Sequence, residues 1–154
     1  MTTASEQHLV VITLDEQRYA LRIAAVERIA RMVEITPLPA APPAVSGMVN
    51  VQGRILPVYD LRRRFGLPQR EIRLTDQFIV ARTARRPIAL VADAVTDVVA
   101  CAEPDLIAAE NILPGVAYME GVVKLKDGLI LIHCLDKFLS LDEEQSLDQA
   151  LDAA

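Results

Sequence analysis

The chain has 154 residues, 52% of them apolar but only 4% aromatic, with a formal net charge of −5 and a mean hydropathy of +0.27. A chain of this length buries roughly 70% of its unfolded surface, so the composition excludes disorder throughout, and the acidic balance argues against nucleic acid as the main partner because phosphate binding needs a basic face. No apolar run exceeds five residues, against the ~20 that a spanning helix needs, so no direct membrane insertion is expected.

The first residues, Met1 to His8, lack the basic start and apolar core of a secretory signal, and a cytoplasmic location follows as the expectation. From His8 to Leu139, short aliphatic segments alternate with turn residues about every eight to twelve positions, which reads as mainly β. Leu9–Leu14 and Tyr19–Ile23 flank the polar connection Asp15-Glu16-Gln17-Arg18 and form a first hairpin. The run Pro37-Leu38-Pro39-Ala40-Ala41-Pro42-Pro43 has φ fixed at its prolines and reads as a stiff extended linker. Met48–Val51 and Ile55–Tyr59 then flank Gln52-Gly53-Arg54 as a second hairpin. Asp60 to Pro68 reads as a short helix, with Asp60 as N-cap, Gly66 in the left-handed position at its end and Arg62, Arg63 and Arg64 complementing its negative terminus. Gln77–Thr83 with Pro87–Ala92, and Val122–Leu125 with Leu129–Ile132, complete four hairpins. After Leu141, Asp142-Glu143-Glu144-Gln145 resembles a capping box ahead of Leu147 and Leu151, so the acidic segment 141–154 is an amphipathic helix or a disordered tail.

An internal repeat underlies the pattern. Tyr19-Ala20-Leu21 aligns with Ile88-Ala89-Leu90 at an offset of 69, which also pairs Val10 with Ile79, Val26 with Val95 and Ile29 with Val98. Further on, an offset of 74 pairs Gly47 with Gly121, Val49 with Val123, Val58 with Ile132 and Leu61 with Leu135. The second copy therefore holds about five extra residues in one connection. Two copies of a five-stranded unit, about 8–75 and 76–140, are expected, each closed as a barrel to remove exposed edges. Neither buries much alone, so a shared apolar seam is expected.

Chemistry-bearing constellations are absent from the sequence. His8 and His133 are the only histidines, without ligand spacing, and glycine-rich phosphate loops are missing. His133 and Cys134 are adjacent on a strand and point to opposite faces, which excludes a paired nucleophile. Cys101 and Cys134 read as buried small hydrophobes. Asp60, Asp93, Asp97 and Glu120 stand next to turns or strand ends, where capping and solvation account for them. No catalytic, cofactor-binding or metal-binding residue is assigned, and no cofactor is expected. The clusters Arg62-Arg63-Arg64 and Arg85-Arg86 lack interleaved aromatic residues and read as a solvated face or a contact with an acidic partner.

Tyr19 to Ile29, the prolines from Pro37 to Pro43 and above all Gly47-Met48-Val49-Asn50-Val51-Gln52-Gly53-Arg54-Ile55-Leu56-Pro57-Val58-Tyr59-Asp60-Leu61 resemble the CheW-like domain family, the coupling proteins of bacterial chemotaxis. The likeness continues through Ala89–Val98 and Gly121–Leu125 and spans about residues 8 to 140. It implies two intertwined five-stranded SH3-like barrels with short connecting helices. It also implies a non-enzymatic adaptor, monomeric when free, that joins the cytoplasmic tip of chemoreceptors to the regulatory domain of the histidine kinase CheA. A receptor helix hairpin would lay apolar side chains into the groove between subdomains, and a barrel surface would dock on the kinase. On that basis Val26, Ile29, Met48, Asn50, Gln52, Leu56 and Val58 are receptor-groove candidates, with core packing as the competing account of the apolar ones. Arg28, Arg54, Arg62, Arg63 and Arg64 are kinase-contact candidates, with solvation as the competing account. Two positions depart from the family pattern, which has Arg in the Asn-x-Arg-Gly turn and Glu before the isoleucine of Val-x-Glu-Ile. Here they are Gln52 and Arg28, and Gln52 is expected to accept a hydrogen bond from the Arg28 guanidinium across neighbouring strands. The alternatives are a kinase-binding competitor, an accessory coupling protein of a non-flagellar system and a small-molecule sensor.

Overall fold

The computed structural model describes residues 6–102, 106–108, 119–125 and 128–153. The first hairpin is β1 (Glu6–Leu14) and β2 (Gln17–Arg22), followed by a 3-10 turn at Ile23–Ala25 and β3 (Val26–Arg31). The second hairpin is β4 (Val45–Val51) and β5 (Arg54–Tyr59), leading into α1 (Leu61–Phe65). Then come β6 (Gln77–Arg82), β7 (Pro87–Ala92), β8 (Ala94–Ala102), β9 (Leu106–Ala108), β10 (Met119–Leu125) and β11 (Gly128–His133). A 3-10 turn at Leu135–Lys137 precedes α2 (Leu141–Ala153).

Two sheets result, in the orders β8-β1-β2-β11-β10-β9 and β3-β6-β7-β5-β4. Each takes the leading hairpin of one repeat and inserts it between the third strand and the closing hairpin of the other. The repeat offsets survive in the pairing register. Val10 faces Val98 across β1 and β8, and Ile29 faces Ile79 across β3 and β6, each residue moved by 69. The two parallel junctions, Ile132 with Ala20 and Val58 with Ala89, are related in the same way. So are the bulges at Glu27 and Thr96, which twist the outer strands β3 and β8 and help to protect them from unwanted pairing. The extra strand β9 lies in the longer connection of the second copy.

The inner strands β2, β5, β6 and β7 hold runs buried on both faces, which uses the aliphatic excess. Leu9, Val11, Ala20, Val123, Ile130 and Ile132 fill the six-stranded sheet. Val49, Val51, Leu56, Val58, Phe78, Val80 and Ala89 fill the five-stranded one. The alternate residues, Val10, Ile12, Leu21, Ile79, Ile88 and Leu90 among them, form one seam between the sheets.

The five-stranded sheet closes through the chain that leaves β3. Thr36 exchanges backbone bonds of 2.8 and 2.7 Å with Met48 on the outer edge of β4. Next to that junction, a Cβ on Gly47 would lie 2.4 Å from the Thr36 carbonyl oxygen. Gly47→Ala is therefore expected to cost about 1–3 kcal/mol, as overpacking does, read as a lower urea midpoint at unchanged slope. The proline run is bent, contrary to the straight linker expected: turns at residues 39–40 and 43–44 tuck Leu38 and Ala44 into the seam. Proline fixes φ but leaves ψ free to turn.

The helix signals of α1 are realised. The Asp60 carboxylate accepts from the Arg63 amide at 3.0 Å, and Gly66 ends the helix at φ 73°. At the C-terminus the helical alternative holds, but its capping box starts two residues earlier than expected, at Ser140. The Ser140 hydroxyl accepts from the Glu143 amide at 3.2 Å and Glu143 accepts from the Ser140 amide at 2.9 Å. Leu147 and Ala150 are buried in the seam.

Candidate partner-binding surface

The β4–β5 hairpin turns on two residues, Gln52 (φ 51°) and Gly53 (φ 85°), with the Asn50 side chain accepting from the Gly53 amide at 2.8 Å. Arg54 thus belongs to the strand, and the register pairs Asn50 with Ile55 and Met48 with Pro57. Asn50 and Ile55 consequently face outward, Met48 on the same face packs partly against the seam, and Leu56 (1% exposed) and Val58 (0%) sit in the core. Asn50 and Gln52 are exposed, Val26 and Met48 are half-buried, and Ile29 is 38% exposed. Ile55, at 57% exposure, is the surface aliphatic that the sequence analysis passed over. The signal lay in the alternation: a turn of two residues instead of three shifts every β5 side chain to the opposite face.

Arg28 and Gln52 meet as expected, with Nη1 donating to Oε1 at 2.7 Å. They do so from opposite edges of the sheet rather than from neighbouring strands, because β3 and the β4–β5 turn curl toward each other. Alongside, Arg54 donates to Glu27 at 3.0 Å. Ile29 and Arg31 on β3, and Arg54 and Ile55 on β5, are each exposed.

The three arginines of α1 separate. Arg63 stays largely exposed, its side chain 56% accessible beside Asp60. Arg64 donates from Nη2 to both carboxylate oxygens of Glu143 of α2 at 2.8 Å and lies over the Phe138 ring. Arg62 is 11% accessible and bridges Asp15 (2.9 Å) and Asp93 (2.8 Å). Burial alone pushes the Asp93 carboxyl up, yet the Asp15 amide and the Arg62 and Arg70 guanidiniums outweigh it and hold it below its ordinary value. Arg85 and Arg86 seat α2: Arg86 pairs with Glu144 and Asp148, and Arg85 lies 3.8 Å from Glu144. Tyr59, stacked on Phe138 at 4.5 Å, is pushed up to about 12, first by burial and then by the Glu144 charge. Apart from Asp60 and Arg63, three residues apart, these partners are not legible in sequence, since each pair joins residues far apart along the chain. Of the other acidic residues considered, Asp60 caps α1, while the side chains of Asp97 and Glu120, like that of Cys101, lie outside the described residues.

His133 is buried with its ring edge-on to Phe65 (5.1 Å) and Phe138 (5.4 Å). Cys134, next to it, is half-buried. Burial and the nearby Arg64 charge bring the imidazole down to about 3. The histidine is thus neutral when folded, and it ionises near pH 6.5 when unfolded. Unfolding takes up a proton between those values, so stability is full above pH 6.5 and falls as the pH drops. Between pH 6 and 5 the loss is expected to be about 1 kcal/mol, and in His133→Gln this slope should flatten in urea titrations.

A model of the CheW-like domain family matches residues 8–146. The Chemotaxis protein CheW of Bacillus subtilis is 29% identical, with 96% of this chain and 95% of that protein covered. That of Rhizobium meliloti is 27% identical with 94% of each covered, and that of Treponema pallidum 26% identical with 96% and 91% covered. The crystal structure of the scaffolding protein TtCheW from Thermoanaerobacter tengcongensis is similar at a TM-score of 0.79 and 29% identity, covering 89% of this chain and 90% of that one. Exchanged sheets, the Gly47–Leu61 hairpin and a match that spans nearly the whole chain place this protein in the CheW-like domain family, as a scaffold protein of chemotaxis.

Proposed function

We propose that this protein couples chemoreceptors to the histidine kinase CheA in the cytoplasm, as an adaptor without catalysis of its own. The observation that carries this reading is that β3 and the β4–β5 hairpin, held together by Arg28 with Gln52 and Arg54 with Glu27, each present an exposed aliphatic side chain, Ile29 and Ile55. Exposed aliphatic side chains beside arginine are what a helical or barrel partner needs for an apolar anchor and a charged rim. Val26, Ile29, Met48, Asn50 and Gln52 form the receptor side of the proposal. Arg28, Arg54 and Arg63 form the kinase side. Leu56, Val58, Arg62 and Arg64 serve by packing and pairing, since their side chains are engaged inside the protein.

Purified CheA regulatory domain and a receptor signalling fragment are the test ligands. Binding of both, each tighter than about 100 μM, is expected, and Arg28→Glu with Arg54→Glu should weaken the kinase domain by about tenfold or more. Binding to neither would overturn the coupling function. Binding to the kinase domain alone, with lowered receptor-stimulated autophosphorylation, would identify a competitor instead.

A further inference from the structure

Arg28 and Arg31 on β3, Arg82 at the adjoining end of β6 and Arg54 at the start of β5 bring four positive charges to one region of a chain whose net charge is −5. Among the described residues, one carboxylate pairs with them. Glu27 accepts from Arg54 at 3.0 Å and lies 3.8 Å from Arg82. Arg31 is exposed, with no carboxylate within ion-pair distance among the described residues.

Arg28 differs from the other three in how it is held. It is half-buried, and its Nη1 donates to Gln52 Oε1 at 2.7 Å, a neutral acceptor that fixes the guanidinium without cancelling its charge. Gln52 is itself fixed in place, because it forms the two-residue turn with Gly53, whose amide is bonded to the Asn50 side chain. With Oε1 spent on Arg28, what the pair has left to offer is mainly N–H donors. Donors and surplus positive charge, partly shielded from water, suit a carboxylate, whose two oxygens match the planar guanidinium fork. Neither β3 nor the turn carries an aromatic side chain on which a base could stack. A single held guanidinium also differs from the run of flexible cations that an anionic lipid surface attracts.

We propose that Arg28 is a recognition residue for a carboxylate on a partner protein and that Gln52 is its positioning residue, a neutral holder that keeps the fork both aimed and charged. The proposal names the chemistry of the kinase contact suggested above and rests on that reading only for the identity of the partner. Gln52 serves this contact through Arg28, whatever it touches itself.

Gln52→Glu separates recognition from structure. It keeps the shape and turns the Arg28 contact into an ion pair, so the urea midpoint should equal or exceed the parent's while the charge offered to a partner is cancelled. Binding of the CheA regulatory domain to the parent and the variant is the first measurement. Gln52→Glu should weaken it by about fivefold or more, and Arg28→Lys, which keeps the charge but loses the fork, should weaken it as well. A purely structural pair predicts unchanged or tighter binding to Gln52→Glu, and that result would overturn the proposal while leaving the coupling function standing. If the kinase domain does not bind the parent, the coupling function falls and a synthetic helical peptide of leucine and glutamate decides. In protein with isotope-labelled arginine, this peptide should shift the Arg28 Nε resonance in the parent and not in Gln52→Glu, and a peptide with lysine for glutamate should not shift it. An Arg28 resonance indifferent to the acidic peptide would sink the proposal, as would one moved instead by phosphatidylglycerol vesicles or by self-association of the protein.

Discussion

Arg86→Ala is expected to lower stability by about 3–5 kcal/mol, a large share of the 5–15 kcal/mol typical of a domain. The size of the effect comes from what remains behind. Glu144 is 4% exposed, and its carboxylate is compensated chiefly by the Arg86 guanidinium. Truncating the arginine leaves that charge in a nearly dry site, with Arg85 too far out to replace it. Asp148 is half exposed and loses little. Helix α2 should loosen first, withdrawing Leu147 and Ala150 from the seam. The double variant Arg86→Ala with Glu144→Gln should recover much of the loss, because a neutral amide costs far less to bury unpaired. Urea titrations of the two single variants and the double variant check this. A drop below about 1 kcal/mol for Arg86→Ala, the range of a surface pair, would show that α2 is a surface appendage.

Neighbouring residues on β5 should separate stability from binding. Leu56→Ala, which empties a position at 1% exposure in the five-stranded core, is expected to cost about 2–5 kcal/mol. When still folded, it should bind partners with affinity close to the parent's. Ile55→Ala should leave stability within about 0.5 kcal/mol and weaken receptor-fragment binding by about tenfold or more. The contrast follows from the two-residue turn at Gln52-Gly53, which fixes which side chain faces in. If Leu56→Ala proves neutral in stability while Ile55→Ala unfolds the protein, the register of this hairpin is reversed.

The parts of the fold set by local chemistry were legible in the sequence. Asp60 and Gly66 mark both ends of α1, and the hairpin turns announce themselves through glycine and polar residues. The repeat offsets were legible too, and they reappear in the strand registers. They do not tell which copy's leading hairpin enters which sheet, because Val10 and Ile79 are chemically alike and either exchange satisfies the pattern. The candidate binding surface was only partly legible. Leu56 and Val58 were groove candidates with core packing as the competing account, and core packing is what the two-residue turn gives them, while it turns Ile55 outward. The arginine clusters misled in a different way. Arg62 and Arg64 look like surface charge in the run Arg62-Arg63-Arg64, but their partners lie in the β1–β2 turn, at Asp93 and in α2, and only tertiary structure brings them near.

Receptor-stimulated autophosphorylation of CheA, reconstituted with receptor signalling fragments and increasing amounts of this protein, tests coupling most directly. A rise in kinase activity that requires all three components and is lost with Ile55→Asp is the predicted result. Activity that stays flat or falls as the protein is added would contradict it.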